Sequence, residues 1–305
     1  MTPPGGRLAA LLDAGEFVVT GEVVPPRSGS AAQIREAARG LVGYVDAINV
    51  TDNPSASPRM SPVAGARFVR EAGAEPTLQI VCRDRNRLAI TADLLGGWAL
   101  GARNLLVLGG DPMHAGDHPD AMPVFDLAPN DVIALARRIR DEGTTGAGAD
   151  IADPPRYLVG VADVPLADPY DPAKLEAKLD AGGDVVWTQI AYDTDRLAEW
   201  AELVRLRGIF ERAKVLVGLV PLRSGANARF LDGLYGVDVP ADAIALLDDA
   251  GDDAEAAGLG YTVDVARRIR AIDGIAGIHL MGIGRDDLVR AVVEEAGLFP
   301  RPTAR

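Results

Sequence analysis

Cysteine is nearly missing from this chain: Cys82 is the single one among 305 residues. No disulfide framework can form, and a reducing, cytoplasmic setting fits. Histidine is almost as rare, with three in all, His114, His118 and His279. His114 and His118 lie four apart in the loop "DPMHAGDHPD", where Gly and Pro rule out the helical i, i+4 geometry of a metal pair, so no catalytic metal is expected. Positive charge is also short. Lys and Arg number 31 against 44 Asp and Glu, a net charge of −13, which would repel nucleic acid and anionic membrane surfaces alike. No apolar run reaches the ~18 residues of a membrane span. The opening "MTPPGGRLAALLDAG" lacks a basic region followed by a long apolar run, so it does not read as a signal peptide.

What the chain does have is apolar material, 48% of it, in a repeating arrangement. Short buried-strand runs occur at 17–24, 44–51, 77–82, 104–110, 157–163, 185–190, 214–220 and 277–283. Amphipathic stretches such as "AAQIREAARGLV", "DVIALARRIRDEG" and "VDVARRIRAIDG" lie between them, and several end in glycine as helix C-termini do. Eight strands alternating with helices predict an α/β fold, a single (β/α)8 TIM barrel. A doubly wound sheet is the fallback. No linker divides the chain, so residues 1–305 are expected to form one domain. The loop-like 142–155 segment enters the fifth strand and is placed on the bottom face. "LLDDAGDDAEAAG" reads as an acidic, solvated segment.

In such a barrel the active site lies at the C-terminal ends of the strands. The residues there are Glu22; Thr51, Asp52 and Asn53; Cys82, Arg83 and Asp84; Gly109, Gly110 and Asp111; Ala162 and Asp163; Thr188, Gln189, Tyr192 and Asp193; Pro221; and Arg285. This mouth is rich in acids and amides and poor in cations. Glu22 interrupts an apolar strand. It is either half of an internal salt bridge, with Arg27 as the candidate partner, or a general acid. Asp111, in the turn Gly-Gly-Asp-Pro, either caps the next element or serves the site. Gln189 is a satisfied barrel amide or a ligand contact. In "CRDRN", Asp84 or Asn86 is a candidate N-cap. The 111–120 loop is long enough for a lid over the mouth.

The ordered motifs "GEVVPPRSG", "INVTDNPSASPRMSP", "CRDRNRLAITADLLGGWALGARNLLVLGGDP", "TQIAYD" and "GIHLMGIGR" resemble bacterial methylenetetrahydrofolate reductase. The likeness spans nearly the whole chain. It implies a single flavin-binding barrel that passes hydride from NADH or NADPH to FAD and on to methylenetetrahydrofolate. It also implies site roles. Glu22 falls on the general acid and Asp111 on the aspartate beside flavin and pterin. Gln189 falls on a pterin-contacting glutamine, and Arg285 on an arginine that meets the folate's glutamate tail. Thr51, Gln79, Gly110, Asp111, Asp171 and Lys178 fall on FAD contacts. The implied partners are a small-molecule folate and, where copies associate, a second copy of the chain in a homo-oligomer.

The chain departs from the family pattern mainly on the flavin side. Gly109 and Ala177 stand where many members have arginine, and Gln79 where there is a histidine. Ala162 aligns with a flavin-side tyrosine, and Gly225 with an aromatic that covers the substrate. The expectation is therefore a weakly held FAD. The alternatives are a flavin-free reductase and a folate-binding or corrinoid-associated barrel with no reductase activity of its own.

Overall fold

The computed structural model describes residues 3–303. Its centre is a closed barrel of eight parallel strands in sequential order. The strands are β1 (Val18–Val23), β2 (Ala47–Val50), β3 (Pro76–Val81), β4 (Asn104–Leu108), β5 (Leu158–Asp163), β6 (Val185–Ile190), β7 (Lys214–Leu219) and β8 (Ile275–Leu280). β1 closes the ring against β8, with Thr20 opposite His279. All eight expected runs became strands, with shifted ends. The second begins at Ala47 rather than at 44 because Tyr44 and Val45 both donate their N–H to the Leu41 carbonyl, prolonging the preceding helix end.

Helices cover the outside because their apolar residues recur at helical spacing. In Ala31–Leu41 the buried residues are Ile34, Ala38 and Leu41. The helix Pro129–Glu142 stops at Gly143, whose φ of 68° is the left-handed conformation glycine tolerates. The 142–155 segment lies at the bottom as expected, tied by a bridge between Thr144 and Asp150. The acidic stretch near 250 is largely exposed, as its charge predicts. It forms the end of helix Ala241–Asp249 and the start of helix Ala254–Ala271. Leu247, Ala254 and Gly258 face inward there, while Asp248, Asp249, Asp252, Asp253 and Glu255 are all exposed.

Two apolar cores result. One fills the space between strands and helices. The other fills the lower barrel with Val18, Ala47, Leu106, Leu158, Val185, Trp187 and Leu216, plugged by Leu8, Leu11 and Leu12 of helix Arg7–Asp13. Trp187 fits because β5 has Gly160 beside it; a Cβ there would lie 2.2 Å from the indole ring. Carboxylates clamp the bottom rim. Buried Asp46 accepts from Val19 N at 2.8 Å and pairs with Arg301 at 2.6 Å and Arg7 at 3.0 Å. Glu75 accepts from the backbone of Arg7 and Leu8 and from Asn104 Nδ2. Asp184 pairs with Arg137 and Arg140.

Candidate active site

Side chains alternate along a strand, so every second residue of each strand points into the barrel. Below, these positions are mainly apolar, with Thr20, Asn49, Thr77 and Asn104 buried among them. At the C-terminal end they turn polar and line an open cavity of about 790 Å³. Glu22, Thr51, Gln79, Gly110, Asp111 and Gln189 all line it. Six of the sequence-derived candidates, from five different strands or strand ends, thus meet in one place.

Glu22 lies at the centre of the polar part. Its Oε2 accepts from Gln79 Nε2 at 3.5 Å and lies 3.8 Å from His279 Nε2. His279 is buried and shares a 2.9 Å hydrogen bond between its Nδ1 and Thr20 Oγ1. Trp187 Nε1 donates to the same hydroxyl at 3.3 Å. The expected pairing of Glu22 with Arg27 does not form. Arg27 instead bonds Asp117 in the loop after β4, at 2.9 Å.

Asp111 is exposed, and its Oδ2 accepts from Ser55 N at 2.7 Å. It thereby holds a turn in which Asn53, Ser55 and Ala56 all take positive φ. The 111–120 loop packs on this turn, with Gly116 against the Ala56 carbonyl. Gly110 has φ 98°, and a Cβ there would come within 3.0 Å of Arg83 Cβ. Arg83 itself is buried beneath the loop. It donates to Asp84, to the Asp111 carbonyl at 2.9 Å and to the Asn53 carbonyl at 3.3 Å. Asn86, not Asp84, caps the next helix, accepting from Ala89 N. Gln189 uses its amide locally: Oε1 accepts from Ile190 N, and Nε2 donates to the Tyr235 carbonyl.

Three expected contacts lie off the cavity lining. Asp171 caps the helix Pro172–Asp180 through Ala173 N. Lys178 points under the end of β5, where Nζ donates to the Ala162 carbonyl at 2.5 Å. Arg285 is gripped by Glu255 and Asp287 at the start of the last helix. Its guanidinium faces those two surface carboxylates rather than the barrel mouth.

Sequence reasoning passed over His279, Trp187 and Tyr235, all of which line the cavity. His279 had a usable signal: it lies two residues beyond Gly277 in β8, on the parity that points inward beside Thr20. Asp163 was noted only as a strand end. It is buried, faces the cavity and accepts from Tyr170 OH at 2.9 Å. Burial pushes its carboxyl above the ordinary carboxylate range, and burial likewise lowers the neighbouring Lys178. Asp52 is also raised by burial, against the opposing pull of Arg85. Among the described residues no group of three or more His, Cys, Asp or Glu side chains is placed to hold a metal ion. No helix among them is long and apolar enough to cross a membrane.

An eight-stranded parallel barrel with an acid- and amide-lined mouth is the class that fold and site define. The family model for methylenetetrahydrofolate reductase matches residues 7–297, and the chain belongs to that family. It is 25% identical over 233 residues to methylenetetrahydrofolate reductase 1 of Schizosaccharomyces pombe, covering 73% of this chain and 36% of that protein. It is 28% identical over 208 residues to methylenetetrahydrofolate reductase (NADH) 1 of Arabidopsis thaliana, covering 65% of this chain and 34% of the relative. The chain thus spans about a third of the length of these relatives. It is 21% identical to 5,10-methylenetetrahydrofolate reductase of Pectobacterium carotovorum, covering 75% of this chain and 72% of the relative. Among solved structures, it shares its fold with an uncharacterized Clostridium thermocellum protein that binds two copies of 5-methyl-5,6,7,8-tetrahydrofolic acid. That match has a TM-score of 0.61 and 10% identity, and covers 96% of this chain and 99% of the other.

Proposed function

We propose that this chain reduces methylenetetrahydrofolate to methyltetrahydrofolate, with NADH or NADPH as the electron source, and that residues 1–305 act as one domain. Family membership supports the reaction. The observation that carries the site is Glu22, a carboxyl inside the barrel that meets an amide and an imidazole and makes no ion pair with arginine or lysine among the described residues. A carboxyl in that setting can hold a proton and deliver it.

The reaction needs such a proton. Protonating N10 of the folate lets the bridging methylene open to an iminium on N5, which accepts hydride. Glu22 supplies the proton. His279 stands behind it, linked to Thr20, and orients the carboxyl. Asp111 and Gln189 offer an acceptor and an amide to the pterin edge, once Gln189 gives up its bonds to Ile190 and Tyr235. Leu106, Leu108, Trp187 and Met281 supply apolar wall for flat rings.

FAD, when bound in this family, relays a pair of electrons between nicotinamide and folate. Thr51, Gln79, Gly110 and Asp111 face the cavity, and Thr51 Oγ1 is buried without a protein partner. These groups suit a flavin ring. The diphosphate half of the cofactor lacks an equivalent, since Asp171 and Lys178 are engaged elsewhere. The test is oxidation of NADH and of NADPH by the purified chain, with methyltetrahydrofolate identified as product. Oxidation that depends on methylenetetrahydrofolate supports the reading. Folate binding without turnover, with or without added FAD, would replace the reading with a non-reducing one-carbon barrel.

A further inference from the structure

Phosphates need positive charge or free helix N-termini, and the β4–β6 side of this mouth, where the resemblance sets the flavin, is poor in both. No lysine or arginine lines the cavity, while Glu22, Asp52, Asp111 and Asp163 all do. Asp52 is paired with Arg85. Three of the nearby cations are already spent, and Lys174, in the first turn of Pro172–Asp180, is an exposed surface lysine off the cavity lining. Arg83 is buried, with its N–H groups on Asp84, Asn53 and Asp111. Lys178 is fixed to the Ala162 carbonyl, and Arg27 to Asp117.

The helices that follow β4, β5 and β6 carry acid at their starts. Asp131 lies in the first turn of Pro129–Glu142, and Asp171 caps Pro172–Asp180. Asp193 caps Thr194–Arg205, which also carries Asp195 in its first turn. Their free N–H groups are thus partly satisfied already, and the local charge is negative. This is the side of the mouth to which Gly110, Asp111, Asp171 and Lys178 belong. A resident dinucleotide would have to keep its doubly charged diphosphate here through every turnover.

A co-substrate faces a milder demand. It enters, reacts and leaves, and micromolar to millimolar binding suffices. It need only insert its nicotinamide ring, leaving the diphosphate outside in water. The rim offers an apolar shelf for that ring: Phe230, Tyr235 and Ile283 line the cavity, and all three are at least half exposed, at 66%, 75% and 53%.

We propose that this enzyme passes hydride directly from dihydronicotinamide to the folate, both rings occupying the one cavity, with no flavin between them. The inference rests on the reductase reading above and specifies its electron path. Glu22 gives its proton to N10, and the bond between the methylene carbon and N10 breaks, leaving the N5 iminium. Hydride leaves C4 of the dihydronicotinamide and forms the third C–H bond of the new methyl group. The nicotinamide is oxidised by two electrons, the one-carbon unit is reduced by two, and Glu22 recovers a proton from solvent.

The test uses the full chain, NADH or NADPH carrying deuterium at both C4 positions, and mass spectrometry of the methyltetrahydrofolate formed. Direct transfer predicts one deuterium in every methyl group. It also predicts intersecting initial-rate lines, no flavin absorbance in the working enzyme and no gain from added FAD. A reduced flavin holds the hydrogen on a nitrogen that exchanges with water. Loss of label to solvent, with parallel lines and turnover that needs FAD, would overturn direct transfer and leave the reductase reading standing. No folate-dependent turnover under any of these conditions would remove both.

Discussion

The two rims of the barrel use the same residue types to opposite ends. At the bottom, Asp46, Glu75 and Asp184 are tied to arginines or to backbone N–H groups of neighbouring elements. At the top, Glu22, Asp111 and Asp163 face a cavity and form no ion pair with arginine or lysine among the described residues. A carboxylate with its partners in place stabilises and does little else. A carboxylate inside a barrel without a cation retains its capacity to exchange a proton or meet a ligand. The partner, not the residue type, separates the two roles.

The largest stability effect should come from the bottom. Asp46→Ala leaves Arg301 buried without its carboxylate and removes the acceptor of Val19 N. It should cost about 3–5 kcal/mol, the usual price of breaking a buried pair. Chemical denaturation would measure this, and turnover of the molecules that remain folded should be unchanged. A loss under ~1 kcal/mol would erase the contrast between the rims.

At the top, Gln189→Ala should raise the folate KM about tenfold, the worth of one good hydrogen bond, with little change in melting temperature. An equal rise in the nicotinamide KM would show that the amide does not read the folate. Asp111→Asn should act similarly, with added mobility of the Asn53–Ala56 turn visible by hydrogen exchange. Arg285→Ala should do less. Its guanidinium is held by Glu255 and Asp287 at the surface, so the KM for a polyglutamylated folate should move by less than about fivefold. A larger rise would mean that the arginine leaves those carboxylates for the glutamate tail.

The smallest effect is one of pH. The Arg87 guanidinium and backbone N–H beside Asp126 hold its carboxyl down at about 2, from an ordinary value of 3.8. Because the folded-state value is lowered, this contact stabilises above the ordinary carboxylate range. The contribution is lost as pH falls from about 4 through about 2. In Asp126→Asn, the acid-unfolding curve should lose a small part of its slope in that window.

Much of this was legible in the sequence, for identifiable reasons. Eight apolar runs at steady spacing specify a barrel, and the barrel rule places their C-terminal ends at the site. Glu22 stood out because a carboxylate inside an apolar strand needs an explanation. His279 did not stand out, because a lone histidine in "GIHLMGI" shows its role only when β8 closes against β1 and sets it beside Thr20. Arg285, Asp171 and Lys178 were named by resemblance. Which way such long or loop-borne side chains turn depends on local partners such as Glu255, Ala173 N and the Ala162 carbonyl. The acidic stretch near 250 is solvated as its charges suggest, but those charges hide the inward spacing of Leu247, Ala254 and Gly258 that seats its two helix ends.

The most direct test sets Glu22→Gln beside Asp46→Asn and measures two things for each: melting temperature and methylenetetrahydrofolate-dependent nicotinamide oxidation. Glutamine keeps the shape of Glu22 and its contact with Gln79 but cannot deliver a proton. Glu22→Gln should melt with the wild type and lose on the order of 10²–10⁴ in turnover. Asp46→Asn should melt several degrees lower and turn over normally below its transition. Wild-type turnover in Glu22→Gln, or a melting loss there as large as that of Asp46→Asn, would contradict the assignment of the unpaired top carboxylate to chemistry.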